Sequence, residues 1–257
     1  NKRNREVINL EETRKKEKIK ACVAILVIIL AIFITLIIIF KYQVEGETNM
    51  PFKLSKILVV STAEGVQKDG SQEKWNLDIF QNNDVYFTIE KNEKNKEEEK
   101  IESVEIKNIK VNKKPIVGEI KTYMPNSSDG RLFTFSDDSL VEDGSLQFKG
   151  ASKTNSKLLE IGNQGGTIVI RFSNTNLGNY TSEEDEEIIH NGTMLSKLQL
   201  EEEQIKFEVT FDFVINVKNR SYVDTITLQL PAGENLIENG TLSKEITEGF
   251  VFKRKVK

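Results

Sequence analysis

Residues 205–230 decide the fold, and they read IKFEVTFDFVINVKNRSYVDTITLQL. In the first half of this stretch every second residue is apolar: Phe207, Val209, Phe211, Phe213, Ile215 and Val217. Polar residues fill the intervening positions, except at Val214. A period of two does not fit a helix, in which one face recurs about every 3.6 residues. The pattern therefore predicts a β-strand with one buried face.

The second half continues the alternation with Tyr222, Ile226 and Leu228 on one face, and Pro231 ends the run. Residues 218–221 (KNRS) lie between the two runs and are predicted to form a hairpin turn. A strand pair with so apolar a face needs a second layer over it. We therefore expect this hairpin to lie at the centre of a two-layer core.

Weaker alternation occurs on both sides of the hairpin. Strands are predicted at 85–89, 101–111, 117–124, 131–135, 145–149, 167–173 and around Phe250 and Phe252. Within 101–111 the alternation shifts by one residue, which predicts a β-bulge. Within residues 53–257, only 156–161 and 194–200 have a helical pattern. Many short strands joined by polar turns predict an all-β domain of β-sandwich or jelly-roll type over residues 53–257.

A different pattern precedes this domain. Residues 21–40 read ACVAILVIILAIFITLIIIF; none is charged, and fifteen are Ile, Leu, Val or Phe. A helix of this length spans about 30 Å, the thickness of the hydrocarbon core of a bilayer. A cleaved signal peptide would end in small residues, whereas this run ends at Phe40 and Lys41. The segment is therefore predicted to be an uncleaved transmembrane helix that binds the lipid bilayer.

The charges that flank this helix predict its orientation. Residues 1–20 contain eight basic and four acidic residues, a net charge of +4, and basic flanks stay in the cytoplasm. We expect a cytoplasmic tail at 1–20, a tether at 41–52 and an extracytoplasmic domain at 53–257, all at the plasma membrane. Because the chain starts at Asn1 rather than methionine, a further cytoplasmic portion upstream is an open alternative.

Composition excludes several classes of function. The net charge of −4 provides no basic field for nucleic acid. The single cysteine, Cys22, lies in the apolar run, so the outer part has neither a thiol nucleophile nor a disulfide. A cysteine-free domain of this size favours a bacterial cell-envelope protein.

The motifs that could carry catalysis are weak. The outer part has one histidine, His190. No serine lies in a G-x-S-x-G motif for which His190 could act as the catalytic base, so His190 is interpreted as a loop residue. Residues 71–74 (SQEK) match S-x-x-K but lie in a polar turn rather than at a helix start. The glycine-rich residues 162–166 (GNQGG) precede a predicted strand and are interpreted as a hairpin turn.

Two further features could bind a ligand. The acidic groups 136–138 with 142–143, and 183–187, contain carboxylates that could bind calcium, but neither has EF-hand spacing; no metal site is predicted, and calcium binding stays an open alternative. Trp75, together with Phe80, Tyr86 and Phe87, could offer a stacking surface to a sugar; a core or edge position is the alternative. The charged run 91–100 (KNEKNKEEEK) is predicted to be a solvated loop.

These observations favour a non-enzymatic domain that binds or scaffolds an envelope protein or polysaccharide, with no catalytic residue, cofactor or metal assigned. The alternative is a transmembrane sensor whose outer domain binds a ligand and whose cytoplasmic effector lies upstream of Asn1. The upstream reading frame would distinguish these two hypotheses.

The predicted orientation can be tested with protease. Protease added to intact cells should digest residues 53–257 and spare the tail at 1–20, because the basic flank keeps the tail in the cytoplasm. Permeabilised cells, in which both parts are digested, are the control. Protection of the large domain in intact cells would contradict the orientation, and a mature form starting near Tyr42 would contradict the anchor.

Overall fold

The computed structural model describes residues 2–68, 74–126 and 131–255, with side chains from residue 14 onward. The chain divides into two compact units, Asn1–Glu47 and Thr48–Lys257. The first unit is helix α1, Lys2–Phe40, followed by a π-helical turn, Lys41–Glu45. Among the described residues this is the one helix that is long and apolar enough to cross a membrane, as predicted from the sequence.

The second unit is built mainly of strands. The described strands are β1 Phe52–Gln67, β2 Asn76–Lys91, β3 Ile101–Lys113, β4 Glu119–Tyr123, β5 Leu146–Gly150, β6 Glu160–Ile161, β7 Gly165–Thr175, β8 Asn179–Thr181, β9 Phe207–Val217, β10 Arg220–Leu230, β11 Leu242–Ile246 and β12 Lys253–Lys255. Short helices lie between them: 3-10 helices Asp137–Ser139 and Gly192–Leu198, α2 Glu202–Ile205 and α3 Leu236–Asn239.

The strands form two six-stranded sheets. Sheet A has the order β11-β1-β2-β7-β4, with β8 also paired to β2; sheet B has the order β12-β10-β9-β3-β5-β6. Every pairing between described strands is antiparallel except that of β5 with β6. The prediction of a mostly β domain behind one long apolar helix is confirmed at this level.

The predicted hairpin is present as β9 and β10, near the middle of sheet B. Its connection is shorter than predicted: Val217 pairs directly with Arg220, which leaves the two-residue loop Lys218 and Asn219. The first strand begins at Phe207 rather than at Ile205, because Ile205 ends the short helix α2. Ile205 is nevertheless buried, so its apolar character reflects packing rather than strand pairing.

The predicted bulge in 101–111 is confirmed. Lys107 of β3 lies opposite Asp212 of β9, whereas Lys110 lies opposite Thr210, so β3 has one extra residue. Asn108 absorbs this residue with a φ of 56°, a left-handed conformation that asparagine tolerates better than most residues.

Residues 131–135 form no strand, so that prediction is wrong. The segment is irregular and lies on the outer face of sheet A. The ring of Phe133 lies 4.5 Å from the guanidinium of Arg171, and Phe135 stacks on Phe80 with ring centroids 4.2 Å apart. The alternation of apolar residues here reflects two rings that pack onto a sheet, not a strand within one.

Residues 156–161 form no helix, so that prediction is also wrong. The Lys149 N–H donates to Leu159 O at 2.9 Å and the Ala151 N–H donates to Ile161 O at 2.8 Å. These hydrogen bonds to β5 hold the segment extended and produce the short strand β6. The stretch 194–200 is helical only as part of the 3-10 helix Gly192–Leu198.

The larger apolar core contains side chains from both sheets. Phe211 of β9 contacts Phe87 of β2 edge-on, with ring centroids 5.7 Å apart, and stacks on Phe172 of β7 at 6.1 Å. All three rings are fully buried. The residue at the centre of the predicted stripe is therefore one that joins the two sheets.

A buried polar layer interrupts the apolar face of sheet A. In β2, Val85, Phe87 and Ile89 belong to the larger core, whereas Leu77 and Ile79 belong to a second cluster beneath the short helices. Ser61, Gln81 and Asn83 lie between them and are fully buried. Ser61 Oγ donates to Asn83 Oδ1 at 2.7 Å, and the two amide side chains bond each other at 3.0 and 3.1 Å. Such mutual bonding offsets the cost of burying polar groups.

The central position of Phe211 leads to a stability prediction. Phe211→Ala should lower the free energy of unfolding by about 3–5 kcal/mol, because it removes a buried ring and leaves a cavity. Thr210→Ala is the matched control: its side chain is on the opposite face, where it bonds Thr227 at 2.8 Å, and it should cost less than about 1.5 kcal/mol. Urea melts of the full chain in detergent, followed by circular dichroism, measure both values. Equal costs would contradict this assignment of faces.

Candidate functional site

A cleft of about 570 Å³ opens where β1 ends and β2 begins. Its polar side chains are Gln67, Arg131, Glu186, Glu187 and His190, and they surround the indole of Trp75. Sequence reasoning considered Trp75 and His190 separately, and the structure brings them to one place. An aromatic ring among convergent polar groups in a concavity is the usual composition of a ligand site.

Trp75 is held by its backbone while its side chain is presented to solvent. The Trp75 N–H donates to Ser182 Oγ at 2.9 Å, and the Ser182 N–H donates to Trp75 O at 2.8 Å. Ser182 itself is buried, yet Trp75 is 53% exposed. Trp75 is therefore not a core residue, and its ring can contact a ligand; an edge position, the other part of the alternative, agrees with this exposure.

His190 lies at the end of loop 182–190 and lines the cleft together with Trp75. The Gly65 N–H donates to its Nδ1 at 3.4 Å, which ties the end of loop 182–190 to β1. The described residues that line the cleft include no serine, threonine or cysteine. There is thus no hydroxyl or thiol in this lining that His190 could activate as a nucleophile.

Glu186 fastens the acidic loop to the neighbouring helix. Its carboxylate accepts hydrogen bonds from Tyr180 OH at 2.7 Å, from the Glu183 N–H at 3.1 Å and from Lys197 Nζ. These donors, Lys197 first, lower the pKa of Glu186 from 4.5 to about 2. The carboxylate therefore stays ionised at neutral pH and is unsuited to donate a proton as a general acid.

Arg131 is attached to a rigid ionic network on sheet A. Its Nη1 lies 3.2 Å from Glu64 Oε1, and Glu64 Oε2 lies 3.5 Å from Arg171 Nη1. Arg171 in turn donates to both oxygens of Asp84, at 2.6 and 3.0 Å, a two-point geometry that fixes both groups. Because the side chain of Arg131 is 66% exposed, it can also reach a ligand in the cleft.

The other aromatic residues that were grouped with Trp75 do not join it. Phe87 is fully buried in the core between the sheets. Phe80 stacks on Phe135, and Tyr86 packs against a separate cluster with Tyr123. The hypothesis of one four-residue stacking surface is therefore wrong in this form, and Trp75 alone presents its ring to the cleft.

The acidic groups 136–138 with 142–143, and 183–187, were considered as calcium sites. Among the residues that the structure describes, no group of three or more histidine, cysteine, aspartate or glutamate side chains is placed to hold a metal ion. Glu186, in the second group, is instead occupied by Lys197. The assignment of no metal and no cofactor stays a prediction.

The glycine-rich residues 162–166 form a turn, but not a hairpin. They connect β6 of sheet B to β7 of sheet A, and the Gly165 N–H donates to Gly162 O at 3.1 Å. Gly165 has a φ of 117°, and a Cβ there would lie 2.4 Å from Ile89 O, so a side chain is excluded at this position. Most of the S-x-x-K stretch, 71–73, lies outside the described residues.

No protein family, curated protein or solved structure matches this chain. Its function therefore has to be inferred from its own residues. Sequence reasoning missed Gln67 and Arg131 as members of the cleft, because neither belongs to a recognisable motif. The one available signal was Trp75, the sole tryptophan of the chain.

The lowered pKa of Glu186 leads to a pH prediction. A carboxylate whose pKa falls from 4.5 to about 2 on folding stabilises the folded state above pH 4.5, and this stabilisation is lost as the pH falls through 2. Glu186→Gln should therefore be less stable than the parent chain at pH 7, and the difference should shrink steadily below pH 4.5. Thermal melts at a series of pH values measure this difference.

Glu184→Gln is the matched control, since Glu184 is exposed in the same loop. It should show no comparable difference at any pH. If the destabilisation by Glu186→Gln stayed constant down to pH 2, the ionised carboxylate would not be its source.

Proposed function

We propose that the chain is a single-pass protein of a bacterial plasma membrane, with residues 1–20 in the cytoplasm, 21–40 across the bilayer and a β-sandwich domain outside. The length and apolar composition of α1 support the anchor, and the net charge of +4 on residues 1–20 supports the orientation. Two sheets that share one apolar core support the sandwich.

The outer domain is proposed to bind a ligand rather than to catalyse a reaction, and the observation that carries this proposal is the exposed indole of Trp75. Trp75 is 53% exposed although hydrogen bonds to Ser182 fix its backbone. The fold therefore lacks the stabilisation that full burial of this large apolar side chain would provide. Such a ring is energetically useful when a ligand covers it.

An envelope polysaccharide is the ligand class that fits the cleft best. A sugar ring has an apolar face of C–H groups, which can stack on the indole of Trp75, and a rim of hydroxyl groups. Arg131 supplies donors, Glu187 supplies acceptors and His190 can supply either, so the hydroxyl groups have partners around the ring. The cavity of about 570 Å³ is large enough for a short oligosaccharide.

The sole tryptophan allows a direct test: when fluorescence is excited at wavelengths that the five tyrosines do not absorb, the emission comes from Trp75 and reports on the cleft. The full chain in detergent should be titrated with an oligomer of β-1,4-linked N-acetylglucosamine and with soluble glycan strands from a bacterial cell wall. Binding should shift the Trp75 emission to shorter wavelength in a saturable manner, because the sugar displaces water from the ring. Glu187→Gln should weaken the apparent affinity about tenfold or more, the expected loss for a charge-assisted hydrogen bond.

Glu98→Gln, an exposed glutamate on the charged loop 91–100, is the matched control and should leave the affinity unchanged. An emission that stays constant with every glycan would contradict the polysaccharide proposal. Equal weakening by both substitutions would show that a site other than the cleft is responsible.

A further inference from the structure

Basic residues are concentrated in four segments of the outer domain, 91–102, 149–160, 218–220 and 253–255, which we name the lysine rim; the first segment carries −1 and the other three together carry +7. Together they contain twelve basic and six acidic residues, a net charge of +6. Residues 41–257 as a whole carry −8, so the remainder of the outer part carries −14. The charge of the domain is thus strongly segregated.

Strand pairing brings the four segments to one end of the domain. The pairs that place them are Phe52 with Lys91, Ile101 and Arg220 with Val217, Ser103 with Lys149, and Ser221 with Lys255. The loop 92–100 joins the two sheets at this end. The Ile101 N–H also donates at 3.0 Å to Asn163 O, in the turn that leads into β7. The lysine rim is therefore one continuous edge of the domain.

Most acidic residues of the rim are already neutralised. The ion pairs are Arg220 with Glu97 and Glu99, Lys153 with Glu102, and Lys157 with Glu160. Several lysines of the rim, by contrast, are exposed and form no ion pair within the described part of the chain: Lys94, Lys96, Lys149, Lys218 and Lys255. The rim therefore presents uncompensated positive charge to whatever it faces.

The chain enters the domain at this same end. Asn92 Nδ2 donates to Met50 O at 2.9 Å and Asn95 Nδ2 donates to Asn49 O at 2.7 Å, so two side chains of loop 92–100 hold the segment that leads into β1. Thr48 follows Phe40, the last residue of α1, by eight residues. Eight residues span at most about 30 Å whatever path they take.

We infer that the lysine rim docks the outer domain onto the anionic lipid head groups of the membrane that holds α1. The inference rests on the proposed anchoring, because the short tether is what keeps the rim near the bilayer. Lipid phosphates are the complementary charge that a tethered basic edge meets first. A lysine near an anionic membrane surface contributes about 1 kcal/mol, a fivefold preference for the docked state, and the effect is screened by salt.

Docking can be measured by energy transfer from the rim to labelled lipids. The full chain carrying Cys22→Ser and Asn155→Cys would be labelled with a donor at 155, an exposed position on the rim. It would then be placed in nanodiscs that contain a head-group acceptor in phosphatidylcholine, with or without 30 mol% phosphatidylglycerol. Transfer should increase with phosphatidylglycerol and return to the phosphatidylcholine value in high salt.

Two double charge reversals distinguish an effect of the rim from an effect of the net charge of the chain. Lys94→Glu with Lys96→Glu should lower the ratio of docked to undocked domain by about 25-fold or more, from about fivefold for each lysine. Lys113→Glu with Lys114→Glu makes the same change in charge at the other end of β3, where both lysines are exposed, and should leave transfer unchanged.

Equal transfer in the two lipid compositions would overturn the inference, as would equal effects of the two double substitutions. The membrane anchoring on which the inference rests is measured separately, by co-elution of the chain with nanodiscs of phosphatidylcholine alone. A chain that co-elutes but shows no lipid-dependent transfer refutes the docking and leaves the anchor intact. A chain that fails to co-elute refutes the anchor and the docking with it.

Discussion

The β domain, which follows the long apolar helix, depends on covering one apolar face, that of β9. Every residue of its stripe, from Phe207 to Val217, is 2% exposed or less. Leaving such a face in water would cost roughly 25 cal/mol for each Å² of apolar surface. The neighbouring strands β3 and β10 widen the face, so a single sheet cannot bury it, and β1, β2 and β7 supply the second layer. The rings of Phe211, Phe87 and Phe172 meet where the two layers touch.

The polar layer in sheet A determines where that shared core ends. Ser61 and Asn83 lie opposite each other on neighbouring strands, and their hydrogen bond exists in one register only. A slip of either strand by one residue would turn its side chain to the other face of the sheet and break the bond. Beyond this layer β1 and β2 continue under the short helices, and the strand ends that form the cleft, at Gly65 and Leu77, lie in this extension. The register between β1 and β2 in the core therefore determines where the cleft lies.

Structural features that depend on neighbouring residues could be predicted from the sequence, whereas features that depend on contacts between distant residues could not. The hairpin β9–β10 and the bulge at Asn108 were predictable, because alternation within a few residues reports directly on a sheet face. Phe133 was misassigned because its partner, Arg171, is remote and the pattern alone resembles a strand. For the candidate site, the sequence suggests Trp75 as a ligand contact and His190 as a loop residue, but it does not predict that the two line one cleft. The hydrogen bonds that place Trp75 come from Ser182, 107 residues away, and no local pattern carries that information.

The separation of charge bears on how such a cleft would be used. β1 runs from the lysine rim at Phe52 to the cleft at Gly65, a distance of about 40 Å for a strand of this length. The Debye length at physiological salt is about 8 Å, so charges at the two ends act independently. In the proposed arrangement an anionic membrane attracts the rim and repels the acidic run 183–187 beside the cleft. Each force acts only on the end of the domain that is near the membrane, but both favour the same orientation. Under the proposed function, that orientation holds the rim against the lipid and leaves Trp75 open to glycans outside.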